Sequence, residues 1–402
     1  MRYFFILGTN PTLSLAELAA VFSNGEFSLF QKNIAILDTN LEIKANIIKK
    51  IGGVIKFGII HSETTSLAPR EILKLAAIFS KPEKSKSKFN FGISLYGKAK
   101  INLKVLGMEF KKLLKESGIN SRWVISREPT LSSVVVEQNK LTTEKGVEIV
   151  MIEFNKKLFL GRTLAVQPFK ELSFRDYGRP SRDDRSGMLP PKLAQIMINL
   201  SGAKLEDTIL DPFCGSGTVI TEAALMGFKN IIGSDISNRA ISDTKKNVEW
   251  IIENFKLEIA CPASHCEGGG NLKLYQQDAC NLSQKIKPQS IDAIVAEPYL
   301  GPQNSGFEIS KVAKELERLY SKSLMEFNKI LKPGGKIVMI WPVFQGKLST
   351  FIYPNIDSYK IIDPIPANLQ KNIFLNLTAR KTMVYGREEQ KVWREIIVLE
   401  KN

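Results

Sequence analysis

The stretch Asp211-Pro212-Phe213-Cys214-Gly215-Ser216-Gly217-Thr218 lies between an apolar strand pattern at 208–210 and a helix pattern at 218–226. Gly215 and Gly217 remove side chains at this turn, so the backbone can approach a ligand, and the next helix offers unpaired N–H groups. No Gly-Lys-Ser/Thr follows, and the glycine spacing differs from Gly-x-Gly-x-x-Gly, which argues against an ATP loop and a dinucleotide fingerprint. The turn therefore predicts a site for a nucleotide-like ligand that has no phosphate here.

From position 192 onwards, helix patterns alternate with short apolar strand patterns. The helices are predicted at 192–200, 218–226, 239–253 and 310–331, and the strands at 208–210, 230–233, 273–276, 291–295 and 336–341. Strands separated by helices are typical of a parallel, doubly wound sheet, so we expect an α/β fold. Two closing segments, 379–385 and 393–399, predict an antiparallel hairpin at the sheet edge.

Two further acids follow strands of this predicted sheet. Asp235 ends the strand after the turn, and Asp278 ends the next one. Because parallel strands place their carboxyl ends at one edge, these acids and Asp211 are expected to face one crevice. A carboxylate at the position of Asp235 can accept both hydroxyls of a ribose. The sequence therefore predicts a nucleoside-binding crevice.

The chain has 402 residues and a net charge of +15, which is concentrated in its first part. Residues 1–170 contain 26 Lys and Arg against 14 Asp and Glu, whereas residues 171–402 contain 30 against 27. Such a field favours a phosphate backbone as partner, although a Lys-rich surface can also simply aid solubility. The candidate RNA-binding lysines are Lys84, Lys86, Lys88, Lys111 and Lys112.

The basic part contains weaker strand and helix patterns, which predict two small α/β units. Ser14 and Glu17 have the spacing of a capping box and predict a helix over 14–22. The run 134–136 predicts a strand. Residues 168–191 are rich in Arg, Asp, Gly and Pro, so we interpret them as a connector.

The turn and the two later acids together resemble the Rossmann-type S-adenosylmethionine-dependent methyltransferases, in the branch that methylates exocyclic amines. The resemblance implies that Asp211 and the glycines bind the methionine end of S-adenosylmethionine, Asp235 the ribose, and Asp278 the adenine amino group. The cofactor-binding residues implied are Asp211, Phe213, Cys214, Gly215, Gly217, Asp235, Ile236, Asp278 and Ala279.

The next strand ends in Ala296-Glu297-Pro298-Tyr299-Leu300-Gly301, where this branch usually shows Asp/Asn-Pro-Pro-Tyr/Phe. Alignment on Pro298 places Glu297 at the Asp/Asn position, whereas a shift by one makes Tyr299 the aromatic residue. We favour the first register. An exocyclic amine is a poor nucleophile, so acceptors must bind its N–H groups and hold the nitrogen in line with the methyl group. We expect Glu297 and the Pro298 carbonyl to do this while Tyr299 stacks on the base.

A second resemblance covers nearly the whole chain. The opening residues 3–18 and the connector stretches FRDYGRP (174–180) and GMLPPKLAQ (187–195) are similar to the THUMP-containing tRNA guanosine-N2 methyltransferases that modify guanosine-10. The resemblance implies a ferredoxin-like subdomain (1–60), a THUMP RNA-binding domain (61–165), a linker (166–191) and a Rossmann-fold class I methyltransferase domain (192–402). Arg175 and Arg179 are candidates for extending the RNA surface, or else are linker charges paired with nearby aspartates.

The sequence leaves two other functions open: a DNA adenine-N6 or cytosine-N4 methyltransferase, which shares the Asp211 turn, and an RNA-binding protein that has lost catalysis. The segment Cys261–Cys266 lacks a clear second ligand pair, so we expect no metal. Cys214 lies in the cofactor turn and is not expected to act as a nucleophile. The apolar run 3–7 is too short for a leader, and no run reaches about 18 apolar residues. We expect a cytoplasmic protein, with a monomer as the default state.

Overall fold

The computed structural model describes residues 1–80, 88–182, 188–257, 271–302, 308–346 and 348–402. This part of the chain divides into two compact units. The N-terminal unit comprises Met1–Pro11, Asn24–Lys49 and Val54–Pro168, and the C-terminal unit comprises Thr12–Ser23, Lys50–Gly53 and Phe169–Asn402. The division at 60, 165 and 191 remains a prediction. No helix of the described ranges has both the length and the apolar character to cross a membrane.

Within the described ranges, one sheet of eight strands forms the N-terminal unit. In chain order the strands are β1 (Arg2–Leu7), β2 (Glu26–Gln31), β3 (Ile34–Asp38), β4 (Val54–Thr64), β5 (Phe89–Tyr96), β6 (Ser121–Val124), β7 (Gly146–Phe154) and β8 (Lys157–Val166). Their order in the sheet is β2-β3-β1-β4-β8-β7-β5-β6, with β5 parallel to β6 and β7 and the other pairs antiparallel. The sheet is therefore continuous across position 60.

The first helix of the chain, α1 (Pro11–Val21), falls almost wholly in the C-terminal unit, whereas the next ones accompany the strands of the N-terminal sheet: α2 (Pro69–Phe79), α3 (Leu103–Glu116) and α4 (Ser133–Gln138). The predicted strand at 134–136 is wrong, since these residues lie in α4. The Ser132 side chain accepts a hydrogen bond from the Val135 N–H at 3.3 Å and caps the helix, so a local cap outweighs the β propensity of three consecutive valines.

Helix α1 begins at Pro11 rather than at Ser14, so the predicted capping box is also wrong. Proline suits the first helical position, because its missing N–H would be unpaired there in any case. Glu17 is fully buried inside the C-terminal unit and accepts hydrogen bonds from the N–H groups of Gly52 (2.8 Å) and Gly53 (2.7 Å). The acid therefore stabilises a distant segment instead of its own helix.

This placement predicts an unusual pH dependence of stability. Burial raises the pKa of Glu17 from an ordinary 4.5 to about 7. Because the protonated form is favoured in the folded state, the free energy of unfolding should fall as the pH rises from about 4.5 to about 7, by on the order of 3 kcal/mol. Urea unfolding of the wild type and Glu17→Gln at pH 5 and pH 8 checks this. A stability difference between the two proteins that does not change with pH would contradict the assignment.

The C-terminal unit contains a second sheet, whose strands are β9 (Thr208–Asp211), β10 (Asn230–Asp235), β11 (Asn271–Gln276), β12 (Ile291–Ala296), β13 (Leu331–Phe344), β14 (Thr350–Phe351), β15 (Tyr359–Ile361), β16 (Met383–Tyr385) and β17 (Val392–Lys401). The helices beside it are α5 (Phe169–Tyr177), α6 (Pro191–Leu200), α7 (Thr218–Met226), α8 (Asn238–Phe255) and α9 (Ile309–Ile330). The predicted connector thus contains a helix, α5. The predicted doubly wound α/β fold is confirmed.

The strand order is β11-β10-β9-β12-β13-β17-β15, and the strands from β11 to β13 are parallel. The chain moves outward from β9 in one direction through β10 and β11, and in the other through β12 and β13. The carboxyl ends of β9 and β12 therefore flank a topological switch point, where open α/β sheets bind ligands.

Strand β17 does not lie at the sheet edge, where the hairpin was predicted. It pairs antiparallel with β16, as predicted, but it also pairs with β13 from Lys336↔Glu400 to Phe344↔Val392 and with β15 on its other side. β17 is thus an interior strand. Because β13 lies beside β12, this pairing brings the start of β17 towards the switch point.

Candidate active site

The turn after β9 depends on its two glycines. Gly215 has φ +52° and Gly217 has φ +85°, both in the left-handed region that favours glycine. Gly217 is also the N-cap of α7, and a Cβ added there would lie 2.8 Å from Cγ2 of Thr244 on α8. The backbone N–H groups at the start of α7 are thereby brought to the sheet edge without covering side chains.

Asp235, at the end of β10, holds this turn in place. Its Oδ2 accepts a hydrogen bond from the Gly215 N–H at 3.0 Å, and its Oδ1 accepts one from the Ser237 N–H at 2.9 Å. Each carboxylate oxygen has a second lone pair, so the side chain can still accept bonds from two hydroxyl groups of a ligand.

Asp211 is the most deeply buried of the predicted acids, with 2% of its surface exposed. Its Oδ1 accepts a hydrogen bond from the Phe213 N–H at 3.1 Å. Burial raises the pKa of Asp211 well above its ordinary value, and the negative charges of Asp235 and Glu297 raise it further. Three carboxylates therefore share one small region, which favours a ligand that carries positive charge.

The third predicted acid follows β11. Asp278 Oδ1 accepts a hydrogen bond from the Cys280 N–H at 2.9 Å. The neighbouring Gln277 N–H donates to the Asp235 carbonyl at 2.9 Å, which joins the ends of β10 and β11. Ile236 is 69% exposed beside these acids, whereas Ala279 is buried. An exposed apolar side chain between two carboxylates can pack against a flat ring whose polar edge faces the acids.

Glu297 follows β12, and its partner was not predicted from the sequence. The Arg394 Nε donates a hydrogen bond to Glu297 Oε1 at 2.5 Å, and both side chains are 13% exposed. Burial raises the pKa of Glu297, and the Arg394 guanidinium opposes this effect. The two residues are 97 positions apart, so no local sequence signal connects them; only the pairing of β17 with β13 brings Arg394 to this edge.

The residues after Glu297 differ in exposure. Pro298 is buried, Tyr299 is 58% exposed and Leu300 is 8% exposed. The Tyr320 hydroxyl on α9 donates a hydrogen bond to the Tyr299 carbonyl at 2.7 Å, which holds the backbone while leaving the Tyr299 ring accessible. Whichever register the motif takes, Tyr299 is therefore the side chain that can stack on a base.

The thiol in the turn after β9 is buried. Cys214 is 4% exposed, and its Sγ lies 3.7 Å from the Thr244 hydroxyl oxygen. Burial and the nearby Asp211 charge raise the pKa of Cys214 well above its ordinary value. A thiolate is costly here, which fits the prediction that Cys214 is not a nucleophile.

Arg175 and Arg179, which were predicted as candidate RNA contacts, are buried at 6% and 7% exposure. Arg175 binds Glu222 through two hydrogen bonds, of 2.7 and 3.1 Å. Arg179 donates to the Thr218 hydroxyl at 2.7 Å and to the Arg175 carbonyl at 3.0 Å. Both side chains thus contact α7 within the C-terminal unit, and Arg179 also lies 4.0 Å from Asp176, so the structure favours the alternative of internal pairing over an RNA surface.

Three of the five predicted lysines are described residues of the N-terminal unit. Lys88, Lys111 and Lys112 are exposed, the last two on the outer face of α3. Lys84 and Lys86 lie outside the described residues, as do Cys261, His265 and Cys266. Within the described ranges, no three His, Cys, Asp or Glu side chains are grouped so that they could hold a metal ion.

Two family models match the chain. One, described as an RMKL-like methyltransferase domain, matches residues 179–348. The other, described as a DNA methylase, matches residues 32–246. The first range contains all four strand ends of the site, whereas the second contains the turn after β9 but stops before β11 and β12.

Three relatives with similar sequences are named for the same activity. The tRNA (guanine(10)-N2)-dimethyltransferase of Methanothermobacter thermautotrophicus is 31% identical over 219 residues, which span 54% of this chain and 57% of that protein. The protein of the same name from Pyrococcus abyssi is 22% identical over 353 residues, spanning 85% of this chain and 88% of that protein. A probable tRNA (guanine(10)-N2)-dimethyltransferase of Methanothermococcus thermolithotrophicus is 31% identical, spanning 37% of this chain and 77% of that protein.

Among solved structures, the crystal structure of TrmN from Thermus thermophilus matches this chain over 100% of both chains, with a TM-score of 0.53 and 16% identity. At this identity the likeness concerns the fold, and it agrees with the α/β arrangement described above. The sequence relatives, together with the matched methyltransferase domain and the acids at its strand ends, show that the chain belongs to the tRNA guanine-N2 methyltransferase family.

Proposed function

We propose that this protein transfers a methyl group from S-adenosylmethionine to the exocyclic N2 of a guanosine in tRNA, at position 10. The observation that carries the proposal is the row of acids at four adjacent strand ends, Asp211, Asp235, Asp278 and Glu297, next to the exposed ring of Tyr299. The names of these three relatives support guanine-N2 as the target and guanosine-10 as the position. We propose that the protein acts on tRNA in the cytoplasm.

The residues of the crevice fit S-adenosylmethionine. Its ammonium and sulfonium groups are positive, and the raised pKa of Asp211 marks a place where such charge is favourable. Asp235 has lone pairs for the two ribose hydroxyls, and the side chains of Ile236 and Asp278 offer an apolar face and an acceptor for adenine. The glycines at 215 and 217 leave room for close approach of the backbone.

The protein must also activate the exocyclic N2 amine of guanine, which is a weak nucleophile. When bound, S-adenosylmethionine would supply an electrophilic methyl carbon, and its sulfur would keep the electron pair of the carbon–sulfur bond. Glu297 and the Pro298 carbonyl accept the N–H groups of the guanine amine and orient its lone pair towards that carbon. The Tyr299 ring stacks on the flipped base. After transfer, N2 is cationic and gives one proton to the Glu297 carboxylate.

We further propose that tRNA binding rests on the basic N-terminal unit, with the THUMP domain at 61–165 behind a ferredoxin-like subdomain at 1–60, a linker at 166–191 and the methyltransferase domain at 192–402. Lys88, Lys111 and Lys112 are exposed there, and Lys112 has only a loose 3.9 Å contact with Glu116, at the next turn of α3. Exposed lysines can neutralise phosphates and release counterions.

Charge reversal of Lys88, Lys111 and Lys112 to Glu is expected to weaken tRNA binding and to reduce the slope of log K against log salt by about 0.7–0.9 for each phosphate that is no longer neutralised. Titrations of labelled tRNA at several salt concentrations measure this slope. The matched control reverses Lys273, Lys285 and Lys287, which are exposed in the C-terminal unit. Equal losses of affinity in both triple variants would mean that net charge, and not this surface, governs binding.

The proposed activity is tested by incubating the protein with methyl-labelled cofactor and a tRNA transcript, its guanosine-10-to-adenosine variant, or duplex DNA. Label recovered as N2-methylated guanosine in the first transcript only supports the proposal. Label in DNA would support an amino-methyltransferase of the kind suggested by the DNA methylase match. Tight tRNA binding without any transfer would indicate a protein that has lost catalysis.

A further inference from the structure

The pair formed by Glu297 and Arg394 offers more than one acceptor for an amine. Arg394 donates through Nε at 2.5 Å to one oxygen of Glu297, and among the described residues this carboxylate is the partner found for its guanidinium. The guanidinium has further N–H donors in the same plane, and the carboxylate has further lone pairs. A planar donor therefore lies beside two acceptors, at the strand end where the target base is proposed to bind.

This order of groups matches one base edge. Guanine presents an acceptor at O6, a donor at N1 and a donor at N2 along its Watson–Crick edge. Adenine and cytosine present a donor at their exocyclic amine and an acceptor at the ring nitrogen beside it. A row of one donor followed by two acceptors is thus complementary to guanine, and it places an acceptor against the ring nitrogen of adenine or cytosine.

Resting on the proposed function, we propose that Arg394 and Glu297 together read guanine: Arg394 donates to O6, while the two oxygens of Glu297 accept from N1–H and N2–H. Arg394 is then a specificity-determining residue of the reaction. The Pro298 carbonyl accepts the second N2 hydrogen. This arrangement also explains why a longer acid can replace the usual Asp/Asn at this position, because Arg394 holds its carboxylate at the edge of the base.

The surroundings of the pair suit this role. Both side chains are 13% exposed, so water competes weakly, and a mismatched base leaves polar atoms of the pair without a hydrogen-bond partner. Buried groups that form hydrogen bonds with a polar base edge discriminate strongly against analogues that lack those partners. An apolar pocket discriminates much less. Arg394 lies on β17, whose pairing with β13 fixes its backbone at Pro342.

The test uses tRNA with 2-aminopurine in place of guanosine-10. This base keeps the N2 amine but lacks O6 and the N1 proton. We expect the wild type to prefer guanosine by about 100-fold in kcat/KM. Arg394→Met should lower kcat/KM for both bases, because Arg394 also holds the Glu297 carboxylate, but the loss should be about tenfold larger for guanosine, so the preference falls by about tenfold. Effects of 2-aminopurine on the tRNA itself cancel when the two enzymes are compared.

A merely structural Arg394 would lower both rates equally and leave the preference unchanged, which would overturn the inference. Equal methylation of both bases by the wild type would also overturn the inference, and this result does not depend on the folding of any variant. If Arg394→Met does not fold, Arg394→Lys takes its place and should show a smaller fall in the preference for guanosine. An unchanged preference in Arg394→Lys would also overturn the inference. Lys360→Gln is the control, because Lys360 pairs with Glu400 at the surface of the same sheet. Absence of methylation of guanosine-10 by the wild type would instead refute the proposed function.

Discussion

Replacing Glu297 by glutamine is expected to lower kcat for tRNA methylation by about 100-fold or more, with little change in tRNA affinity. Positive charge develops on N2 as the new bond forms, and a fixed carboxylate in a region largely shielded from water stabilises that charge. Glutamine keeps the shape but loses the negative charge and turns an N–H₂ group towards the donors of guanine. Single-turnover rates with saturating cofactor measure the effect.

Two further variants separate catalysis from stability in this experiment. Glu297→Gln leaves Arg394 without its charged partner, so thermal unfolding must be followed alongside activity. Glu297→Asp keeps the charge and should restore part of the rate, whereas Glu389→Gln, exposed in the turn before β17, should behave as wild type. A Glu297→Gln rate close to that of the wild type would remove Glu297 from the chemistry.

Asp235→Ala is expected to weaken S-adenosylmethionine binding by about 100-fold and to leave tRNA affinity unchanged. The change removes a charged acceptor for the ribose hydroxyls, and hydrogen bonds to charged groups contribute about 1.5–3 kcal/mol each. It also removes the 3.0 Å bond that holds the Gly215 N–H. Calorimetric titration of the cofactor measures the loss of affinity.

A dideoxyribose analogue of the cofactor product separates the two effects of Asp235. In the wild type, removing both hydroxyls should weaken binding, but in Asp235→Ala it should cost little more, because their acceptor is already gone. Additive losses of affinity would mean that Asp235 acts only by holding the turn. Asp243→Ala is the matched control, since Asp243 lies on α8 and contacts Arg239 at 3.7 Å.

Much of the fold follows from local patterns. The alternation of helices and apolar strands after position 192 predicted the parallel sheet, because burial on both faces requires continuous apolar strands. The same rule placed Asp211, Asp235 and Asp278 at one edge. Errors arose in short segments, where one contact decides the outcome: the Ser132 cap converts residues 134–136 into helix, and buried Glu17 binds Gly52 and Gly53 instead of capping α1.

Arginine shows where sequence patterns stop being informative. From composition, Arg175 and Arg179 resemble any basic residues of a loop, yet they are buried against Glu222 and Thr218. Arg394 lies in an ordinary strand pattern, yet it binds Glu297. A charge count records the sign of a residue but not its partner.

Periodicity, turn glycines and acids after strands are local features, so the linear chain alone was enough to place the glycine turn and three acids at one edge of the sheet, and its resemblance to a known family indicated the class of reaction. The partner of Glu297 could not be predicted in this way. Arg394 lies 97 positions away and reaches the site only because β17 is inserted beside β13. Such pairings depend on the order of strands and on the cost of leaving a buried charge unpaired, which are properties of the whole packed sheet.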